Sequence, residues 1–104
     1  ATQLVFTTQP ADATVNTTMA GVVVTAEDQF GNVDPTFVGN VGLVISNDPN
    51  GGASVLSGTI PQTAVAGVAT FSDLQISQVG PGFTLQASSG GVSSATSNSF
   101  NITP

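Results

Sequence analysis

Along most of this chain apolar residues alternate with polar ones, and Gly or Pro breaks the alternation about every eight to twelve residues. In segments such as residues 3–8 and 100–103, every second side chain would therefore lie on the same face of an extended strand. No window contains apolar residues at the i, i+3, i+4, i+7 spacing of an amphipathic helix. The pattern predicts an all-β domain of short strands, arranged as a sandwich or a barrel.

The alternation predicts about seven strands, the number typical of a two-sheet sandwich of about 100 residues. They are expected at residues 3–8 with a short continuation at 13–16, and at 20–27, 37–46, 53–56, 68–76, 83–87 and 100–102. Within residues 68–76 the alternation changes phase before Leu74.

Three short segments are predicted to be turns because they are rich in Gly, Asn, Asp and Pro. These segments are residues 28–32, 48–52 and 80–82. Gly39 and Gly42 lie inside a predicted strand and indicate either a bulge or a close approach of another backbone segment.

The inward positions of the predicted strands define the expected core. They are Leu4, Phe6, Val22, Val24, Leu43, Ile45, Phe71, Leu74, Phe83, Leu85, Phe100 and Ile102.

Charge excludes several classes of function. The chain of 104 residues is long enough for one domain, residues 1–104, and its formal net charge is −6 because it has six acids and no Lys, Arg or His. Such a surface repels phosphate backbones and anionic headgroups, so neither nucleic acid nor a membrane surface is an expected partner. The sequence also contains no apolar run long enough for a spanning helix and no signal-peptide pattern, so a secretion signal would lie outside it.

An enzymatic function is not expected. Without His, Cys or Lys, the usual pairs of a nucleophile and a base cannot form. Paired carboxylates are the remaining acid–base option. Glu27 and Asp28 are adjacent at a strand end and should point to opposite faces.

The acidic segment from Glu27 to Asp34 is the main candidate site. Asp28 is in phase with the inward residues Val24 and Ala26, which predicts that its carboxylate folds into the turn and accepts backbone N–H bonds. The functional alternative is a Ca²⁺ site, because calcium prefers hard oxygen ligands. Its candidate ligands are Glu27, Asp28, Asn32 and Asp34.

Two other features leave their alternatives open. Phe30 lies in the turn and is either a plug beneath the loop or an exposed contact residue. Asn16 and Asn101 each begin an N-glycosylation sequon, a pattern that also arises by chance in a chain rich in Ser and Thr.

Several segments, taken in order, resemble the bacterial immunoglobulin-like (Ig-like) repeats of large surface proteins, including invasin- and intimin-type adhesins. They are Ala-Thr-Gln-Leu-Val-Phe at 1–6, Val-Val-Val-Thr-Ala-Glu-Asp-Gln-Phe-Gly-Asn at 22–32, Gly-Val-Ala-Thr-Phe-Ser-Asp-Leu at 67–74, Gly-Phe-Thr-Leu-Gln-Ala at 82–87 and Phe-Asn-Ile-Thr-Pro at 100–104. The resemblance implies an Ig-like β-sandwich of about seven antiparallel strands in two sheets with Greek-key connections.

The expected function is that of a structural spacer or stalk repeat in an extracellular or cell-surface protein, with neighbouring similar repeats as partners. An odd number of strands would place the two chain ends at opposite ends of the sandwich, which suits a linear array. The alternatives are a module that binds a glycan or protein and an accessory domain of a secreted polysaccharide-active enzyme. The absence of Trp and Tyr, the residues that would stack on a sugar ring, favours the spacer.

Overall fold

Eleven strands are present in the part of the chain that the computed structural model describes, residues 2–19, 21–52 and 54–104. In chain order they are β1 (Gln3–Thr8), β2 (Ala13–Thr14), β3 (Val22–Glu27), β4 (Asn40–Asn47), β5 (Leu56–Ser57), β6 (Gln62–Thr63), β7 (Val68–Phe71), β8 (Gln75–Ile76), β9 (Gly80–Ser88), β10 (Ala95–Thr96) and β11 (Phe100–Thr103).

The strands form two larger sheets and one small one. The first has the order β1-β3-β7, and the second has the order β2-β11-β9-β4-β6, with β10 also paired to β9. A two-stranded sheet joins β5 to β8. The strand pairs are antiparallel except for β2 and β11, which run parallel. The all-β prediction is therefore confirmed.

The two larger sheets share a single apolar core. Leu4 and Phe71 enter it from the first sheet, whereas Phe83 and Phe100 enter it from the second. The rings of Phe83 and Phe100 stack with their centroids 5.9 Å apart. Because each sheet buries one face against this shared core, the arrangement is sandwich-like.

The predicted core is confirmed at all positions except Ile45, which is only partly buried. Ile45 lies next to a register shift between β4 and β9, which ends the regular alternation of that strand. Ala26, Ala69, Ile76 and Ala87, at inward positions of the same predicted strands, are also buried. The core further contains Met19, Val41 and Ala64, which the prediction did not include.

Polar groups within the sandwich have partners. The buried hydroxyl of Thr25 lies 2.8 Å from that of Thr7 on the neighbouring strand. The buried Ser97 hydroxyl accepts a hydrogen bond from the Leu85 amide at 2.9 Å and donates to the Asn98 carbonyl. Among the described residues, no buried side-chain polar atom is left unsatisfied, so burial of these hydroxyls does not carry the cost of a lost hydrogen bond.

Several strand boundaries differ from those predicted. The segment predicted at 68–76 is divided into β7 and β8, with Leu74 between them, in agreement with the change of phase. β4 begins at Asn40 rather than at residue 37, and the short strands β6 and β10 were not predicted. The predicted starts at residues 20 and 53 lie outside the described residues.

The turn predicted at residues 80–82 is wrong, because these residues begin β9. Gly80 pairs with Ile102, and the register then shifts before Phe83 pairs with Phe100. At this irregularity Gly82 has a φ of 81°, and its amide donates to the Asn101 side chain at 3.1 Å. The Gly-Pro-Gly sequence therefore forms a β-bulge within the strand ladder and does not reverse the chain.

The predicted close approach of another backbone segment is found neither at Gly39 nor at Gly42. A Cβ at position 39 would lie 2.8 Å from the Phe37 ring, but one at position 42 would have no neighbour closer than 3.9 Å. Gly67, which was not singled out, is more constrained: its φ is 83°, and a Cβ there would lie 2.3 Å from the Asp34 carbonyl oxygen. Glycine at 67 thus lets the segment after β6 pack against the loop that follows β3.

The strand path runs from one end of an elongated body to the other. Gln3, at the start of β1, lies beside Glu27 and Ser93, whereas Ile102, near the end of β11, lies beside Gly80 and residue 13. β9 runs from Gly80 back toward the end where β1 starts. The principal extents of the molecule are 40 × 20 × 19 Å. We call the end with Gln3 the entry end and the other the exit end.

The described residues contain no helix that is long and apolar enough to cross a membrane.

Phe71→Ala should lower the free energy of unfolding by about 3–5 kcal/mol, because its ring is fully buried between the sheets. Phe30→Ala is the matched control, since that ring is 78% exposed and its loss should change stability by less than about 0.5 kcal/mol. Urea denaturation of both variants measures the difference. Equal losses in the two variants would contradict the assignment of the core.

Candidate functional site

The four predicted site residues lie in one tight hairpin loop at the entry end. Glu27 ends β3 and pairs with Val33, so the chain reverses between them. The Asp28 amide donates to the Asn32 carbonyl at 2.9 Å, and the Asp34 amide donates to the carbonyl of residue 26 at the same distance. The structure therefore brings Glu27, Asp28, Asn32 and Asp34 together along a single loop, which we call the acidic loop (residues 27–34).

The Asp28 carboxylate closes this turn, as predicted. Its Oδ1 accepts the backbone N–H of Phe30 at 2.8 Å and that of Asn32 at 3.0 Å. The hydrogen bonds from the Asn32 and Phe30 amides hold the pKa of Asp28 below its usual value, because they stabilise the charged form. Asp28 is thus a local turn acceptor of the Asx type.

Asp34 is engaged in the same way one turn further on. Its Oδ1 accepts the Thr36 amide at 3.0 Å and the Thr36 hydroxyl at 2.6 Å. The Asp34 amide meanwhile joins this segment to β3, and its carbonyl lies against Gly67. Asp34 therefore helps attach the acidic loop to the rest of the entry end.

Calcium binding by the acidic loop stays a prediction. Among residues 2–19, 21–52 and 54–104, no group of three or more acidic side chains is placed so that it could hold a metal ion. Asp28 and Asp34 each direct an oxygen toward donors two residues further along the chain, whereas Ca²⁺ takes six to eight oxygen ligands. The described geometry of the loop favours the structural interpretation of these acids.

Phe30 is exposed, which decides between the two interpretations of this residue. Its ring is 78% exposed at the tip of the acidic loop, on the turn that the Asp28 carboxylate closes. Val33, Val38 and Val65 are also exposed and lie on segments of the same end. We call these four residues the entry-end apolar group. The tertiary packing of the loop, rather than any local sequence signal, decides their exposure.

Three further acids bind loops elsewhere in the domain. Asp48 accepts the amides of Asn50 and Ser54 at 2.8 and 3.0 Å, and these hydrogen bonds outweigh the desolvation that would otherwise raise its pKa, so the pKa is lowered. Asp73 accepts the hydroxyl and amide of Thr59, which likewise lower its pKa. Asp12 accepts the Asn101 amide at 2.8 Å and joins the segment before β2 to β11.

No protein-family model matches the chain, and a search of curated proteins finds no significant match. Function must therefore be inferred from the shape of the domain and the chemistry of its surface.

Asp28→Ala should lower the melting temperature, because the Phe30 and Asn32 amides lose their acceptor. Asp28→Asn is the matched control, since the amide oxygen can still accept while the charge is removed. We expect the melting temperature to fall less in Asp28→Asn than in Asp28→Ala. Hydrogen exchange of these two amides should accelerate in the Ala variant, and unchanged exchange would show that the turn does not depend on Asp28.

From about pH 6 to pH 10 no side-chain titration should change stability, since no His, Cys, Tyr or Lys is present. Stability should fall below about pH 4, because Asp28, Asp48 and Asp73 have lower pKa values in the folded chain than in the unfolded chain. The unfolded state then binds more protons as the pH drops. Urea midpoints across this range measure the effect, and a rise in stability on acidification from pH 4 would contradict it.

Proposed function

We propose that this chain is an Ig-like sandwich domain that serves as a non-enzymatic spacer repeat of an extracellular microbial surface protein. The observation that carries the proposal is the path of the chain through the domain. β1 starts at one end of a body 40 Å long and β11 finishes at the other. Domains of this shape joined in series would project whatever follows them away from a cell surface.

The strand order supports the Ig-like part of the proposal. The sequence β11-β9-β4 in one sheet and β1-β3-β7 in the other matches the neighbour relations of an Ig-type sandwich. β1 and β2 are consecutive in the chain yet lie in different sheets, and β2 pairs with the last strand. These long-range pairings agree with the resemblance of the sequence to bacterial Ig-like repeats.

Composition supports an extracellular location. Without Lys or Arg, the chain offers no site to a protease that cleaves after basic residues, even when it is unfolded. Its fold depends on neither disulfides nor side-chain ion pairs, because Cys and basic residues are both absent. A domain held by its core and backbone ladders would keep its structure across changes of redox conditions and of pH above about 5.

The spacer proposal predicts that a two-copy fusion, with residue 104 joined directly to residue 1 of the second copy, is elongated. Two bodies of 40 Å in line would have a maximum dimension near 80 Å by small-angle X-ray scattering. A compact particle of much smaller maximum dimension would contradict the proposal. Sequence flanking this chain should also contain similar copies at a period of about 100 residues.

Calcium is a variable in the same experiment. The acidic loop lies at the entry end, while Asp48 lies at the exit end near Gly80, so a junction would bring acids of both copies together. Like charges should repel and leave the joint flexible, and more so at low ionic strength. If Ca²⁺ binds between the copies, the joint should stiffen, so the range of end-to-end distances obtained from scattering should narrow. A chelator should reverse this change. Identical profiles would leave the acids as turn acceptors only.

A second candidate function, a protein-binding module, is favoured by the entry-end apolar group. An exposed Phe30 on the same loop as an exposed Val33 is typical of protein interfaces, whereas sugar binding generally uses Trp or Tyr, which this chain lacks. Phe30→Ala separates the two roles. It should leave the length of the two-copy fusion unchanged if the domain is a spacer, but it should abolish the capture of any protein ligand that this end binds.

A further inference from the structure

One edge of the second sheet is open along most of its length. β4 pairs with β9 from Gly42 to Asn47, but on its other side β6 reaches only Asn40 and Val41. No strand among the described residues pairs with that side of β4 beyond Val41. An edge of six residues is about 20 Å long, which is enough for a short added strand.

The strand register shows which backbone groups face this open side. The Ala64 amide donates to the Gly39 carbonyl, so Gly39 faces β6. Because backbone groups alternate in direction along a strand, Val41, Leu43 and Ile45 face the same side. Leu43 and Ile45 lie beyond the end of β6, and no described residue makes a backbone hydrogen bond to them on that side. On this side their N–H and C=O groups therefore have no backbone partner among the described residues.

A groove runs along this edge. Its volume is about 390 Å³, and it lies between β4 and the segment that leads into β5. Ile45 and Leu56 line it together with the buried residue Leu43, and Val44 and Val55 on its walls are 55% and 60% exposed. The groove thus offers apolar contacts beside unpaired backbone groups, which are the two requirements for binding a peptide as an extra strand.

Charge determines which peptide fits. Asp48 lines the groove, and the hydrogen bonds of its carboxylate with Asn50 and Ser54 keep it ionised. The domain as a whole carries −6 with no basic side chain, so a second copy would be repelled at this edge. A segment bearing Lys or Arg would instead be attracted to it.

We propose that the open edge of β4 binds an extended, positively charged peptide segment as an added strand. The guest lies in line with β6, exchanges backbone hydrogen bonds with Leu43 and Ile45, and places a basic side chain near Asp48. This binding site goes beyond the spacer function: it uses the edge of β4 and leaves the entry end free, while Asp48 places one end of the site near the exit end.

The test uses the whole chain and a capped eight-residue peptide of alternating Val and Thr with two Lys substitutions. NMR shift changes at about 1 mM peptide should centre on β4 and residues 54–56. At ten times the dissociation constant, amide exchange of Leu43 and Ile45 should slow about tenfold. Exchange at Gly42 and Val44 should not change, since these residues already face β9. This alternation distinguishes strand addition from non-specific contact.

Matched controls separate backbone pairing from charge. A peptide with Pro at alternate positions cannot donate the required hydrogen bonds and should not bind. Asp48→Asn should weaken binding about two- to fivefold. Asp73→Asn removes the same charge from a carboxylate that also accepts a backbone N–H but does not line the groove, and it should have a smaller effect. Replacing both Lys by Glu in the peptide should weaken binding further.

Three outcomes would overturn the proposal. One is the absence of shift changes in β4 with the Lys peptide, and another is equal binding of the Pro peptide. The third is self-association of the chain through β4 at about 1 mM, which would make a second copy the occupant. Equal affinities of Asp48→Asn and Asp73→Asn would overturn the role of Asp48 in selecting a basic segment.

Discussion

The burial of one apolar face from each of the two larger sheets is the interaction on which the rest of this structure depends. Cys and basic residues are absent, so neither disulfides nor ion pairs between side chains can assist it. Phe71 from the first sheet and Phe83 from the second are fully buried in the shared core. The strands that this core holds in turn fix where the loops at both ends begin and end.

The carboxylates of this chain have no basic side chains to pair with, and most of them bind backbone and hydroxyl groups instead. Asp28, Asp34 and Asp48 each accept the amide two residues further along the chain. Asp12 and Asp73 instead bind segments that are distant in sequence. Backbone N–H groups and hydroxyls thus take the place of Lys and Arg as partners, and the net charge of −6 remains uncompensated at the surface. That charge favours solubility and repels copies of the domain from one another.

The ends and the open edge differ in what they can do. The entry and exit ends are separated by the long axis of the domain, which suits serial connection and supports the spacer proposal. The entry end also exposes Phe30 and three valines, which would lie at a junction or at a ligand. The edge of β4 lies along the side of the domain and reaches the exit end at Asp48, so the proposed peptide site and a junction would share that end.

The sequence by itself determined the all-β class, most of the core and the turn role of Asp28, because each of these depends on local rules. Side chains alternate every two residues in a strand, and an Asp reaches the amide two residues ahead without help from distant segments. Only the tertiary structure decided that Gly80 and Gly82 lie within a strand, that Phe30 is exposed and that β4 has an open edge. Those properties depend on which segments become neighbours, and long-range pairing is decided by how the two sheets pack around their common core.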